Sequence, residues 1–123
     1  MVLAHAGGAL PMLAGRLLTL CEADWVPHDG VDEESVRRGL RAFYYDTAIS
    51  GTAQAMGPLT GVTDTDHIVY GSDFGAPCAS AGVLERTIED LFGTGAVPGS
   101  VPPSVRGNGA RVFPRVLARL GRG

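Results

Sequence analysis

The chain alternates short runs of consecutive apolar residues with longer stretches in which apolar residues recur every three to four positions. "MVLAHAGG" is a β-favouring run that ends at His5 and a Gly pair, and "ALPMLAGRLLTLCEAD" after it has helical spacing. "AFYYDTAISG" is aromatic-rich and ends in Asp46-Thr47, with "TAQAMGPLTGV" following as a weaker helix. "HIVYGSDFGAP" is a third strand, expected to run out to Ser72-Asp73. After it, "SAGVLERTIEDLFG" is the clearest amphipathic helix, with Val83, Leu84, Ile88, Leu91 and Phe92 on one face. Ser80 is placed to cap its start and Gly93 to stop its end.

Strands alternating with helices of this size predict βαβ units, hence an α/β fold with a parallel sheet. Between the first two units, "DEESVRRGLRA" predicts a short helix whose acids lead and whose arginines follow, complementing its dipole. Its charges suit a solvated face; an anion-binding patch is the alternative. A Gly/Pro-rich loop spans about residues 93–107, and "NGARVFPRVLARL" is a closing helical segment that Pro114 either breaks or restarts.

Composition narrows the function classes. The 123 residues are 45% hydrophobic and 19% charged, enough for one modest folded domain. The net charge of −3, without a Lys/Arg run, argues against a nucleic-acid surface. No apolar run approaches the roughly 20 residues of a membrane span, and the opening lacks the basic region of a signal peptide. Cys21 and Cys78 are isolated, as in a cytoplasmic protein with reduced thiols. Phosphate-loop patterns and the G-x-S-x-G elbow are absent.

Parallel strands hold their ligands beyond their carboxyl ends, because every βα loop there opens on one rim. His5, Asp46-Thr47 and Asp73 occupy those ends, and a histidine with two acids suits a divalent metal or acid–base work. Each also has an ordinary reading: a hydrogen-bonded rim histidine, an acid capping the next turn, an acid capping a loop. His28 reads as loop, and His67 stands at a strand entrance, away from the rim. Trp25 and the Phe43-Tyr44-Tyr45 run read as core or interface.

"HAGGALPMLAGRL", "FYYDTA", "HIVYGSDF" and "GNGARVFPR", in this order, resemble the carboxyl-terminal part of the amidohydrolase superfamily. The similar branch is the metal-dependent decarboxylases of the aminocarboxymuconate-semialdehyde and resorcylate type, over about residues 2–116. The resemblance implies the last three βα units and terminal helix of a (β/α)8 barrel, strands six to eight. It makes Asp73 the metal-ligand aspartate, for zinc or another divalent ion, and His5 the acid–base histidine. Arg16 resembles an arginine that reaches a substrate carboxylate across a homodimer interface, whereas "FYYDTA" resembles a sheet motif without a catalytic role.

The implied partner is a small-molecule carboxylate, and the implied reaction is decarboxylation or hydrolysis. Two departures stand out. Gly75 follows Phe74 where the family has Pro, and the H-x-H pair and fifth-strand histidine have no counterpart here. A complete barrel needs about 250 residues. The sequence therefore suggests a truncated barrel that lacks most metal ligands. It leaves open an enzyme part, a catalytically incompetent remnant or partner-binding half barrel, and an unrelated small α/β module.

Overall fold

The computed structural model describes residues 1–27, 29–93 and 105–121. His28 and most of the Gly/Pro-rich loop lie outside the described residues. Three short strands form one parallel sheet in the order β1 (Val2–Leu3), β2 (Tyr44–Asp46), β3 (Ile68–Val69). Val2 pairs with Tyr44 and Leu3 with Tyr45 on one side of β2; Tyr45 pairs with Ile68 and Asp46 with Val69 on the other. The chain is thus α/β with a parallel sheet, and the central strand is the aromatic one.

Helices follow each strand. They are α1 (Leu10–Leu20), α2 (Glu33–Ala42), α3 (Ala53–Val62), α4 (Ala81–Phe92), α5 (Val105–Val112) and α6 (Pro114–Leu120). The acidic start of α2 is capped by Asp32, whose carboxylate accepts the Ser35 N–H at 2.8 Å. One turn on, Arg37 Nε donates to Glu33 at 2.8 Å on an exposed face. Hydrogen bonds from the Ser35 hydroxyl and the Ser35 N–H hold the Asp32 carboxyl below the usual range. Pro114 restarts the last helix rather than merely ending the one before it, since a missing N–H is harmless in a first turn.

Tyr45, Met56, Leu59, Ile68, Leu91 and Val105 are fully or almost fully buried and form the core with Ala6. β3 is buried on both faces, as expected of a parallel strand. Asn108, from the "GNG" stretch, is also fully buried on α5, which packs on β3. Its Nδ2 donates to the carbonyls of Thr65 and Ile68 at 2.8 and 2.7 Å, anchoring the entrance of β3. There the His67 ring stacks on Tyr44 with centroids 4.4 Å apart, and its Nδ1 lies 3.0 Å from the Phe43 carbonyl. His67 is thus at the end of the sheet away from the rim.

Three expectations change. The third strand stops at Val69, well before Ser72-Asp73. Past that point the buried Thr47 hydroxyl, not a strand carbonyl, accepts the Gly71 N–H at 3.2 Å, so the backbone ladder ends. Gly93 does end α4, but with an ordinary φ of −78° rather than a left-handed one. A Cβ there would meet only the Glu89 carboxylate, the movable end of an exposed side chain. Trp25 is 79% exposed and belongs to no core.

Candidate functional site

The three strand exits share the carboxyl edge of the sheet, and each carries a strained residue. His5 (φ 54°), Ile49 (φ 49°) and Asp73 (φ 56°) are non-glycine residues in left-handed conformation just past β1, β2 and β3. Such a conformation costs on the order of 1–3 kcal/mol at each position and persists where surrounding bonds hold it. His5 opens a run of four positive φ values that continues through Ala6, Gly7 and Gly8. The backbone has to turn there because α1 begins two residues later at Leu10.

His5 is held at both ends. Its backbone N–H donates to Asp46 Oδ1 at 2.8 Å. Its ring Nδ1 lies 3.0 Å from the Ala48 carbonyl. A carbonyl only accepts, so this bond places a proton on Nδ1; in the neutral ring Nε2 then carries the lone pair. The same Asp46 Oδ1 also accepts the Ala48 N–H at 3.1 Å. Asp46 therefore does cap the turn after β2, and it ties that turn to the β1 exit as well.

The neighbouring residue performs the matching task on the other side. Thr47 donates its N–H to the Val69 carbonyl at 3.1 Å, and its hydroxyl accepts from Gly71. Two adjacent residues, the last of the central strand and the one after it, thus fasten the exits that lead to His5 and to Asp73. A Cβ at Gly71 would stand only 3.0 and 3.1 Å from Cβ and Cγ of Asp46, so a larger residue here would push on that carboxylate.

A cleft of about 400 Å³ lies beside His5, between the starts of α1 and α3. Pro11, Met12 and Pro58 give it apolar walls, and Ser50, Thr52 and Gln54 supply polar groups. Its volume leaves room for a small molecule beside His5. Arg16 is exposed on α1 and is not among the cleft-lining residues. A separate apolar cleft of about 310 Å³ is lined by Tyr70, Ile88, Phe92, Val105 and Gly109, and among the described residues Tyr70 is its one titratable side chain.

Asp73 sits on the loop after β3, with its Oδ2 3.8 Å from the Cys78 sulfur. The Ser72 hydroxyl accepts the Phe74 N–H at 3.2 Å and the Asp73 carbonyl accepts the Ala76 N–H at 3.0 Å, which shapes the loop as a tight turn. Among the described residues, no three His, Cys, Asp or Glu side chains come together to hold a metal ion. A divalent metal needs three or more donors. These residues alone do not fit one: Asp73 offers a single carboxylate, and the His5 ring has one nitrogen committed to Ala48.

Sequence reasoning found His5 and Asp73 as rim residues and missed the part played by Asp46 and Thr47. Among the described residues, Cys21 and Cys78 are free thiols, and no helix is long and apolar enough to cross a membrane.

No family model matches the chain. Among curated proteins it is 32% identical to the decarboxylase macB of Penicillium terrestre over 118 residues, covering 93% of this chain and 33% of that protein. It is also 32% identical to the 6-methylsalicylic acid decarboxylase acuB of Aspergillus aculeatus over 121 residues, covering 94% of this chain and 36% of that protein. The chain thus spans about a third of the length of the curated relatives it matches. Among solved structures, it superimposes on apo IDCase of Metarhizium anisopliae with a TM-score of 0.60 and 23% identity. That match covers 92% of this chain and 33% of that one, and it establishes a shared fold.

Proposed function

We propose that this chain is part of an amidohydrolase-related decarboxylase, forming three consecutive βα units of its (β/α)8 barrel and removing CO2 from a hydroxylated aromatic carboxylate. The similarity to proteins described as decarboxylases, one of them acting on 6-methylsalicylic acid, supports the reaction class. The parallel sheet with its chemistry-bearing residues at one edge supports the barrel. The observation that carries the proposal is the state of His5. Its ring is fixed through Nδ1 and bare at Nε2, beside a cleft wide enough for a substituted benzene ring.

Decarboxylation replaces a carbon–carboxylate bond by a carbon–proton bond. Nε2 takes up a proton from water, and His5 supplies it to the ring carbon as the bond to the carboxylate breaks and CO2 departs. The imidazole then returns to the neutral Nδ1–H form that its bond to Ala48 favours. A histidine suits this step because it titrates near neutrality and can hold or yield the proton at modest cost.

Asp73 is proposed as one carboxylate of a divalent metal centre, zinc being the ion the sequence resemblance implies, with its other donors outside the residues described. Arg16, exposed and away from the cleft of its own chain, suits a substrate-carboxylate contact in the partner of a homodimer. The small donor set also favours a second reading, in which the chain contributes its rim to a centre completed by further protein and does no chemistry alone.

The test is CO2 release and product formation from 6-methylsalicylate and related hydroxybenzoates. The purified chain is assayed with and without Zn²⁺, alone and mixed with the remaining two thirds of a relative-length decarboxylase. Activity lost in His5→Gln supports the proposal. Activity unaffected by His5→Gln would refute the assignment of His5, and inactivity in the completed assembly would refute the reaction.

A further inference from the structure

Asp46 ends β2, and its Oδ1 serves two amides at once. One belongs to Ala48, two residues on, at 3.1 Å; the other belongs to His5, forty-one positions away in sequence, at 2.8 Å. A turn cap needs only the first. The second bond reaches the residue whose ring is in turn held by the carbonyl of Ala48 at 3.0 Å. One carboxylate oxygen therefore sets both grips on His5: the backbone directly, and the imidazole through the position of Ala48.

We propose that Asp46 is a positioning residue for His5, maintaining its left-handed backbone and, through Ala48, the Nδ1–H form of its ring with Nε2 available to a ligand. The inference rests on the reading of His5 as the proton carrier for its functional meaning, while the tautomer and the bonds that set it are properties of this chain alone.

Three observations converge. The last backbone pair between β1 and β2 is Leu3 with Tyr45, so beyond Ala4 the ladder gives way and the Asp46 side chain takes the amide of His5. His5 adopts φ 54°, a conformation uncommon outside glycine, and the bond to its amide helps to hold it there. Space for the carboxylate exists because residue 71 is glycine; any Cβ there would press on Asp46. What the position requires is an acceptor oxygen of this reach. The asparagine side chain has the same shape and one such oxygen, and alanine has none.

The experiment is long-range ¹H–¹⁵N correlation of the histidine rings in the full chain, unmutated and as Asp46→Asn and Asp46→Ala, with the three histidines assigned by substitution. His67 is an internal control, since its Nδ1 lies 3.0 Å from the Phe43 carbonyl at the opposite end of the sheet. In the unmutated protein at a pH where the ring is neutral, His5 should show a protonated Nδ1 and a bare Nε2. Asp46→Asn should keep that pattern. Asp46→Ala should lose it, with the His5 amide exchanging at least ten-fold faster, while His67 is unchanged.

An alanine variant that retains the Nδ1–H form, or an asparagine variant as defective as alanine, would overturn the proposal. Should Asp46→Ala disturb His67 as well, and so fail to fold, the unmutated spectrum decides: a His5 ring protonated at Nε2 overturns the proposal, and one protonated at Nδ1 with a protected amide upholds it. A chain that shows the predicted tautomers but releases no CO2 in the completed assembly would refute the decarboxylase reading and leave this one standing.

Discussion

Thr47 and Gly71 face each other across the exits of the second and third strands, with the Gly71 N–H donating to the Thr47 hydroxyl at 3.2 Å where a ladder bond would otherwise lie. Thr47 is fully buried, so water cannot substitute for that hydroxyl. Thr47→Val keeps the shape and removes the acceptor. The expected loss is about 1–3 kcal/mol, the cost of leaving a buried polar group unpaired. Urea denaturation measures the loss, and the Gly71 amide should lose its protection against hydrogen exchange.

Gly7 and Gly15 should respond to alanine in opposite directions. At Gly7 the φ is +78° and a Cβ would stand 2.9 Å from two ring carbons of Tyr45, so Gly7→Ala combines backbone strain with a clash in the core. Destabilisation of about 2–4 kcal/mol is expected. Gly15 lies inside α1 with nothing within 4 Å of an added Cβ. Gly15→Ala should stabilise by about 0.5–1 kcal/mol. Midpoints of thermal or denaturant unfolding check both.

Much of this architecture could be read from periodicity. Apolar spacing located α4, and Ser80 was correctly placed as its cap, accepting the Val83 N–H. His5 and Asp73 were found because a strand followed by small residues identifies a rim. What escaped was non-local. The apolar run through Tyr70 gives no sign that Thr47, bonded to Gly71 24 positions further on, would end the strand at Val69. Asp46 looked like a turn residue because its more telling partner is 41 residues away. Asn108 stands out in the sequence only as part of the closing helical segment and the "GNGARVFPR" stretch, since nothing local shows that its amide reaches β3. The exposed Trp25 shows that an aromatic side chain by itself does not reveal where the core lies.

Asn108→Ala should be among the more damaging single changes. It leaves the carbonyls of Thr65 and Ile68 without their side-chain donor and opens a hole beneath β3. A loss of about 2–4 kcal/mol is expected from the abandoned hydrogen bonds and the cavity together. Chemical denaturation gives the magnitude, and the His67 ring resonances report whether the strand entrance has shifted.

Alkaline pH should destabilise the chain through Tyr45. Its phenol is buried and donates to the Leu40 carbonyl at 2.7 Å, and burial raises its pKa above the ordinary value of 10.0. The unfolded chain then releases this proton first. The contribution is fully present below about pH 10 and is lost as pH rises through the higher folded value. Tyr45→Phe should lower stability at neutral pH by about 1 kcal/mol for the lost hydrogen bond. It should also flatten the decline above pH 10 in a series of urea unfolding curves.

Zinc titrated into the chain by calorimetry should bind weakly, because Asp73 brings no set of three donors with it among the described residues. Tight binding at one ion per chain, abolished by Asp73→Ala, would show that donors from a second copy or from residues outside those described complete the shell.

Strands of two or three residues have little means of fixing how they line up. Where both residues of β3 are buried, the usual alternation of apolar and polar faces cannot penalise a shift by one position. The Asp46–His5 and Thr47–Gly71 bonds can. Each reaches a single amide, and sliding β2 by one residue would carry the carboxylate and the hydroxyl past both. The pair therefore acts as an alignment key, so variants at either position are expected to populate slipped sheets as well as loosened loops.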